Sequence, residues 1–327
     1  MPLTPTILRR TLLRAGFAAA ALAAWPLARA QQGGVVRAWQ GFGPGSIPEQ
    51  IGRLVLNAVA ERTGRTFVVE GKVGAAEKIL AAYMAKAPAD GQQLYLMTAV
   101  QTVHTALDKE LKYDVRKDFT LIGSIVQYPF ILSVGMGSKH RTLQDVLAEA
   151  KAHPDKLTYC SPGVGSTLHL AGELLCSRAG VKMRHIPYSN LNYYQDAVEG
   201  RLDLLVGAFT QTLPLVQANK LRMLAVTSQV RLPSLPDVPS VTEIVPGSDV
   251  TTWLALAGPP GLPDDQRDQL SAALREVLQN PAMKSELERR GYIVRPTTPS
   301  ELRAQVAADV DKYARIAADA NIKLNTP

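Results

Sequence analysis

Cysteine and histidine are both scarce in this chain, and each scarcity removes a class of function. Cys160 and Cys176 are the only cysteines among 327 residues, too few for a disulfide-built scaffold. One closes a strand-like segment and the other falls mid-helix, so two buried free thiols are expected rather than a bridge. The five histidines, His104, His140, His153, His169 and His185, show none of the pair spacings of a metal site. No metal and no cofactor are expected. Neither G-x-S-x-G nor G-x-x-x-x-G-K-[ST] occurs. Ser161 has Tyr159 two positions before it and Ser166 has Val164, where a nucleophile elbow needs glycine. Carboxylates gather on helix surfaces, where solvation explains them, so no enzyme is expected. No basic run interleaved with aromatics occurs, which argues against nucleic acid as a partner. There is no internal repeat, and beyond the first 30 residues no apolar run is long enough to span a bilayer.

What the chain has begins with Leu8-Arg9-Arg10-Thr11-Leu12-Leu13-Arg14, a basic segment. An apolar, Ala-rich stretch over 15–27 follows, short for a membrane span. Ala28-Arg29-Ala30 fits the small-x-small cleavage rule, so residues 1–30 are expected to be an export signal cleaved near Ala30. The Arg9-Arg10 pair resembles a twin-arginine signal; a Sec signal with two arginines fits the same residues. Removing 1–30 takes away Arg9, Arg10, Arg14 and Arg29 and no acid, which lowers the formal charge from +7 to +3. The basicity is largely that of the leader. The remaining 297 residues suit one large core or, better, two.

Strand and helix patterns alternate along most of the chain. Strands are expected at 35–40, 66–70, 93–97, 120–126, 129–134, 157–160, 183–186, 203–206 and 222–226, with a break at Gln127-Tyr128. Helices are expected at about 48–62, 77–87, 142–152, 166–178 and 193–199. The last third is helical, at 264–278, 281–290 and 299–320, each opened by helix-start chemistry such as Pro263-Asp264-Asp265. Regular alternation argues for parallel sheets with helices on both faces. A Pro-rich stretch from 232 to 246 reads as a surface excursion.

Two Gly-rich loops each follow a strand and precede a helix. In Ser161-Pro162-Gly163-Val164-Gly165-Ser166-Thr167 the glycines permit φ > 0 and Ser166 is placed to cap the helix. A helix N-terminus offers unpaired N–H groups and partial positive charge, so the loop suits an anion. The other loop, Gly41-Phe42-Gly43-Pro44-Gly45-Ser46, nearly matches the dinucleotide fingerprint G-x-G-x-x-G, with Ser46 at the third glycine and Glu70 at the ribose-binding acid. Pro44 removes an N–H that a pyrophosphate needs. The better reading is two equivalent cradles facing one cleft.

Further landmarks are His185-Ile186-Pro187-Tyr188, Gly200-Arg201-Leu202-Asp203, Leu221-Arg222-Met223-Leu224-Ala225-Val226-Thr227-Ser228, Leu235-Pro236-Asp237-Val238-Pro239, and Trp253 with Gly258-Pro259-Pro260-Gly261-Leu262-Pro263. With the stretch from Tyr159 to Ala171 (family pattern Y-G-S-x-G-x-G-S-x-x-H-L-A), they make the chain, from about Val35 to its end, resemble the tripartite tricarboxylate transporter substrate-binding proteins, or Bug family. The resemblance implies an α/β, two-lobed periplasmic binding protein of type II-like form, with two chain crossings and a ligand cleft between the lobes. It implies a monomer in the periplasm that captures a small organic carboxylate for membrane transporter subunits or a sensor ectodomain. An exported nucleotide-dependent oxidoreductase is the enzyme alternative. Lobe one is expected at 31–130 plus 252–327 and lobe two at 131–251, since strand patterns meet without a helix near Ile131 and Thr251.

The departures from the family pattern fall near the ligand. The family's P-F-P-A-G-G is here Gly41-Phe42-Gly43-Pro44-Gly45-Ser46, its N-R-P-G-A-G-G is Gly71-Lys72-Val73-Gly74-Ala75-Ala76-Glu77, and its P-Y-K-G is Pro187-Tyr188-Ser189-Asn190. The expected ligand-binding residues are Phe42, Pro44, Gly45, Ser46, Gln101, Ser161, Gly163, Gly165, Ser166, Thr167, Tyr188 and Ala208. Backbone N–H groups near Gly45–Ser46 and Gly165–Thr167 and the nearby hydroxyls are expected to hold the carboxylate, with Phe42 and Tyr188 as walls. His169 is expected to be structural. Asn192, Tyr193 and Tyr194 beside Ser189 suggest a wall suited to an aromatic or hydroxylated acid.

Overall fold

Three βα units open the fold, in a computed structural model that describes residues 34–188, 191–232 and 234–319. The expectations placed on residues 1–30 and on Ser189 and Asn190 lie outside these. The units are β1 (Val35–Gln40) with α1 (Ile47–Thr63), β2 (Thr66–Gly71) with α2 (Lys78–Met84), and β3 (Gln93–Thr98) with α3 (Val100–Leu107). β1 pairs in parallel with both β2 and β3, and parallel neighbours need the crossover that the helices supply. α1 stops at Gly64, whose φ of 65° and N–H bond to Ala60 O form the left-handed cap that glycine adopts without a Cβ clash.

β4 (Thr120–Gly135) leads into a second series: α4 (Leu143–Ala152), β5 (Thr158–Ser161), α5 (Thr167–Ala179), β6 (Arg184–Pro187), α6 (Tyr193–Val198), β7 (Leu204–Ala208), α7 (Phe209–Gln217) and β8 (Leu221–Val226). β9 (Thr251–Gly258) returns to the first group, followed by α8 (Asp264–Gln279), α9 (Pro281–Arg289), β10 (Ile293–Val294) and α10 (Pro299–Asp319). The strand order is β2-β1-β3-β9-β4-β7-β5-β6, with β8 and β10 also on β4. Two strand groups thus share β4, the α/β architecture of a two-lobed binding protein.

Three expectations need correction. The break at Gln127-Tyr128 is absent, and β4 runs unbroken for 16 residues. Residues 120–129 pair with β9, while 130–135 pair with β7 and β8. Pro129 stands at this change of partners, and the next N–H, of Phe130, bonds the Thr227 hydroxyl at 2.8 Å. The missing proline N–H therefore falls where the ladder is being handed over. The sheets are also mixed rather than parallel: β9 is antiparallel to both β3 and β4. A strand that returns from the second group alongside β4, which leaves for it, must run the opposite way. Finally, α3, α7 and β10 were not legible, and β9 was expected only as a strand pattern near Thr251. Only Ala99 separates β3 from α3 and nothing separates β7 from α7, so no turn signal marks either joint, and α7 carries Pro214 inside it.

One core cluster reaches across both groups and contains Val126, Leu254 and Leu256 together with Leu132, Leu174 and Val206. On the other face of the first sheet, Tyr95, Met97 and Trp253 pack with Leu302, Val306 and Val310 of α10. Trp253 is buried, and its indole N–H donates to Asp309 Oδ2 at 2.7 Å, as a buried indole requires. Among the described residues no helix is long and apolar enough to cross a membrane.

Candidate functional site

Open α/β sheets hold ligands in the crevice beyond the carboxyl ends of their parallel strands. Both Gly-rich loops leave from such ends, one from β1 and one from β5.

The loop after β5 is braced from below. The buried Ser161 hydroxyl lies 2.8 Å from His185 Nε2 and 3.0 Å from Gly163 O, and it accepts the Gly163 N–H at 3.2 Å. All three bonds form together when His185 donates from Nε2 and Ser161 donates to Gly163 O. A hydroxyl being activated for attack would donate to the ring instead. Burial first, and His169 second, hold His185 down to about 3, so this ring is a weak base. The pair is a brace.

Ser166 caps α5: its oxygen accepts the His169 N–H at 3.2 Å, and its hydroxyl donates to Gly163 O at 2.8 Å. Gly163 and Gly165 have φ of 127° and 82°, values that exclude most side chains. The Gly165 N–H donates to His169 Nδ1 at 3.3 Å. The His169 proton is therefore on Nε2, which lies 3.8 Å from Glu173 Oε1. His169 packs on His185 with ring centres 4.2 Å apart, and Tyr159 stacks on the other side at 4.9 Å. Burial holds His169 down to about 4. His169 thus supports the loop, in keeping with a structural role. Helix geometry leaves the N–H groups of Thr167 and Leu168 without intrahelical acceptors.

The loop after β1 is built differently, and the expected equivalence fails. Its Gly45 has φ 76°, but the Gly45 N–H donates to Glu49 Oε2 at 2.8 Å, and the Ser46 N–H donates to Gly43 O at 3.2 Å. Ser46 sits at the N-cap of α1 without a side-chain cap bond; its hydroxyl donates to Gln40 Oε1 at 3.3 Å. Pro48 removes one more N–H from the first turn. A carboxylate of the chain's own therefore occupies the helix start. Arg53 holds Glu49 at 2.9 Å and, with the Gly45 N–H, keeps its carboxyl below the usual range.

Beneath this loop lies Glu77, fully buried. Its Oε2 accepts from Thr98 Oγ1 at 2.6 Å and Gln101 Nε2 at 3.1 Å. Burial raises its pKa to about 7 against these bonds. A Cβ added at Gly41 would stand 2.3 Å from Glu77 Cγ, so the loop rests directly on this side chain. Ala75, Ala76 and Glu77 all have positive φ, at 47°, 48° and 73°, each costing about 1–2 kcal/mol in a residue other than glycine. Glu77 is a functional candidate that no local motif marks. Its signal was a glutamate at the last glycine of the family's N-R-P-G-A-G-G.

The remaining candidates are dispersed in role. Gln101 is fully buried, and its amide is engaged at both ends, by Glu77 and by the Tyr113 hydroxyl at 2.6 Å. Phe42 is half-buried, with its N–H on Gln40 Oε1 at 2.7 Å; Pro44 is exposed. Tyr188 is half-buried and donates to Asp196 Oδ2 at 2.5 Å. Ala208 opens α7, and its N–H donates to the Tyr194 hydroxyl at 2.9 Å. Tyr193 and Tyr194 belong to the second group's core with Cys160 and Leu205, which corrects their expected place in a ligand wall. Glu70, the ribose-acid candidate, pairs with Arg37 at 3.4 Å. Both cysteines are free and buried, and burial pushes each thiol up to about 12. Among the described residues no group of three or more His, Cys, Asp or Glu is placed to hold a metal ion. A cavity of about 540 Å³ lies away from both loops, between β4, β9 and α10, lined by Gln127, Trp253, Arg295 and Lys312 among others.

Residues 51–322 match the sequence profile described as "Tripartite tricarboxylate transporter family receptor". The chain is similar to the protein BugT of Bordetella pertussis, at 27% identity over 290 residues covering 86% of this chain and 88% of BugT. It is similar in structure to R. palustris Rpa4515 with adipate, with a TM-score of 0.84, 27% identity and coverage of 91% and 99%. It is also similar to MatC from Rhodopseudomonas palustris with bound malate, with a TM-score of 0.79, 25% identity and coverage of 86% and 98%.

Proposed function

The chain belongs to the tripartite tricarboxylate transporter receptor family, and from this premise we propose that it is a periplasmic solute-binding protein that captures a small organic carboxylate and delivers it to membrane transporter subunits. The observation that carries the reading is the loop after β5, where Gly163, Gly165 and the Ser166 cap present the start of α5 over a floor of neutral histidines. A floor that carries no charge leaves the helix dipole and the N–H groups of Thr167 and Leu168 to meet an anion. Charge-assisted hydrogen bonds contribute about 1.5–3 kcal/mol each, so a few suffice for micromolar binding. Two relatives in the same fold are named with adipate and with malate. The protein works as a monomer, without catalysis, after export by the signal at 1–30.

In this reading lobe one comprises 31–130 plus 252–327 and lobe two 131–251, with the hinge where β4 changes partners at Pro129 and where β9 begins at Thr251. The ligand lies between the loops, near Phe42, Ser46, Ser166, Thr167, Tyr188 and Ala208. Calorimetric titration with adipate and malate, each beside its neutral diamide, tests this: the acids bind and the diamides bind at least about tenfold more weakly. A diamide that binds as tightly as its acid overturns the anion cradle.

A further inference from the structure

The two ends of the site differ in charge. At lobe two the floor is His169 and His185, both neutral, and the start of α5, where Ser166 and Thr167 are buried, has N–H groups without intrahelical acceptors. At lobe one the Gly45 N–H is already held by Glu49, and a second carboxyl, Glu77, sits under Gly41. Glu49 has Arg53 as a counter-ion. Lys78, next to Glu77 in the chain, is paired with Asp108 at 3.1 Å.

Three strands end around Glu77: β1 at Gln40, β2 at Gly71 and β3 at Thr98. It therefore stands at the carboxyl ends of the parallel strands, where the crevice lies. Its Oε2 is bonded twice, while its buried Oε1 has no partner within hydrogen-bond distance among the described residues, although the Tyr95 hydroxyl, likewise without a partner at that distance, is near enough to favour its charged form. The backbone that places it is strained at three successive positions, and such strain gathers at functional sites. We propose, building on the carboxylate reading above, that Glu77 makes the lobe-one end of the site select a hydrogen-bond donor (an ammonium, amide or hydroxyl group) against a second carboxylate. The ligand is then a carboxylate whose acid group meets lobe two and whose far end carries a donor.

Glu77 acts as a positioning residue, through its field and through its bonds to Thr98 and Gln101, since its side chain is covered. The groups that surround it are Tyr95 and Thr98 of β3, Gln101 and His104 of α3, Tyr113, Tyr128 of β4 and the backbone of Gly41. Burial holds His104 down to about 4, and its Nε2–H donates to Ala76 O, 2.8 Å away. Burial raises Tyr95, Tyr113 and Tyr128. All four are neutral near neutral pH, so Glu77 is the group of this cluster that changes charge there. A dicarboxylate must find it protonated and loses affinity as pH rises; an ω-amino acid gains.

The test is a thermal-shift and calorimetric panel of adipate, adipic monoamide, ε-aminocaproate and the neutral adipic diamide, with the matching sets at shorter and longer chain lengths, at pH about 6 and about 8. At each chain length that binds, the donor-bearing acids bind at least about tenfold tighter than the dicarboxylate at the higher pH, and the gap narrows at the lower. Glu77→Gln removes the pH dependence of the gap. Glu77→Gly, which suits the positive φ, does the same and guards against a folding defect in the first variant. A wild-type protein that prefers the dicarboxylate at the higher pH, or a gap that both variants leave unchanged, overturns the assignment of Glu77. A panel in which no acid binds, or in which the neutral diamide binds as tightly as the acids, overturns the carboxylate reading itself and this one with it.

Discussion

The loops after β1 and after β5 look alike in sequence, yet they stand on opposite floors. Under the second lie two neutral histidines packed at a tilt, with Tyr159 stacked on His185 and Ser161 hydrogen-bonded to it. Under the first lies a carboxyl that burial has pushed toward neutrality. One helix start is capped by its own serine; the other has given its glycine N–H to Glu49. On the proposed reading, two strand–loop–helix units of one topology divide the labour of holding an anion and sensing what is attached to it. Glycines set the path of each loop, and the side chains beneath set its charge.

The largest expected effect separates the floors by pH. His169 and His185 titrate lower in the folded protein than in the unfolded chain. Their contribution is present above the unfolded value of about 6.5 and is lost as pH falls through about 4 and about 3. For His169 alone the loss is about 3 kcal/mol. Circular dichroism of acid unfolding should show His185→Gln shifting the midpoint to lower pH; an unshifted midpoint would break the contrast at lobe two. Glu77 behaves in the opposite sense. Its folded value is raised, so its contribution is present below the unfolded value of about 4.5 and is lost as pH rises through about 7, again about 3 kcal/mol in all. Urea titrations of Glu77→Gln should lack this loss between those limits, leaving only the rise with pH that the two histidines contribute.

Ligand affinity sharpens the comparison next. Gly165→Val strains a position with φ 82° and crowds the anion site, so affinity for a carboxylate ligand should fall about 100-fold. Gly45→Val at φ 76°, where nothing lies within 4 Å of an added Cβ, should cost about tenfold or less. Equal losses by calorimetry would make the two loops equivalent after all. The smallest effect is at the caps. Ser166→Ala removes a cap bond and should lower stability by about 1 kcal/mol. Ser46→Ala removes none, and thermal unfolding should move by less than about 0.5 kcal/mol.

Much of this protein was legible from local patterns. Alternation marked most of the strands and helices, and Ser166, Gly163 and Gly165 announced the second loop because capping and positive φ are properties of a few residues in a row. The joints at Ala99 and Ala208 were not legible, since a helix that starts without a turn leaves no turn residues to find. Nor was the continuity of β4, because Pro129 reads as an interruption until its place between two sets of partners is known. Among the expected site residues, the partners of Gln101 were not legible either: its amide donates to Glu77 and accepts from Tyr113, both distant in the chain.

The sequence by itself determined the βα order, the two glycine loops, the scarcity of metal and nucleophile patterns and the family to which the chain belongs. These depend on residues near one another in the chain, or on the pattern of many positions together. Tertiary structure alone decided which side chain lies under which loop. Glu77 reaches Thr98 and Gln101 from 21 and 24 positions away, and Ser161 meets His185 across 24. Such pairings, and the burial that moves a carboxyl up and an imidazole down, come into being only when β1, β2 and β3 on one side and β5, β6 and β7 on the other bring their ends together.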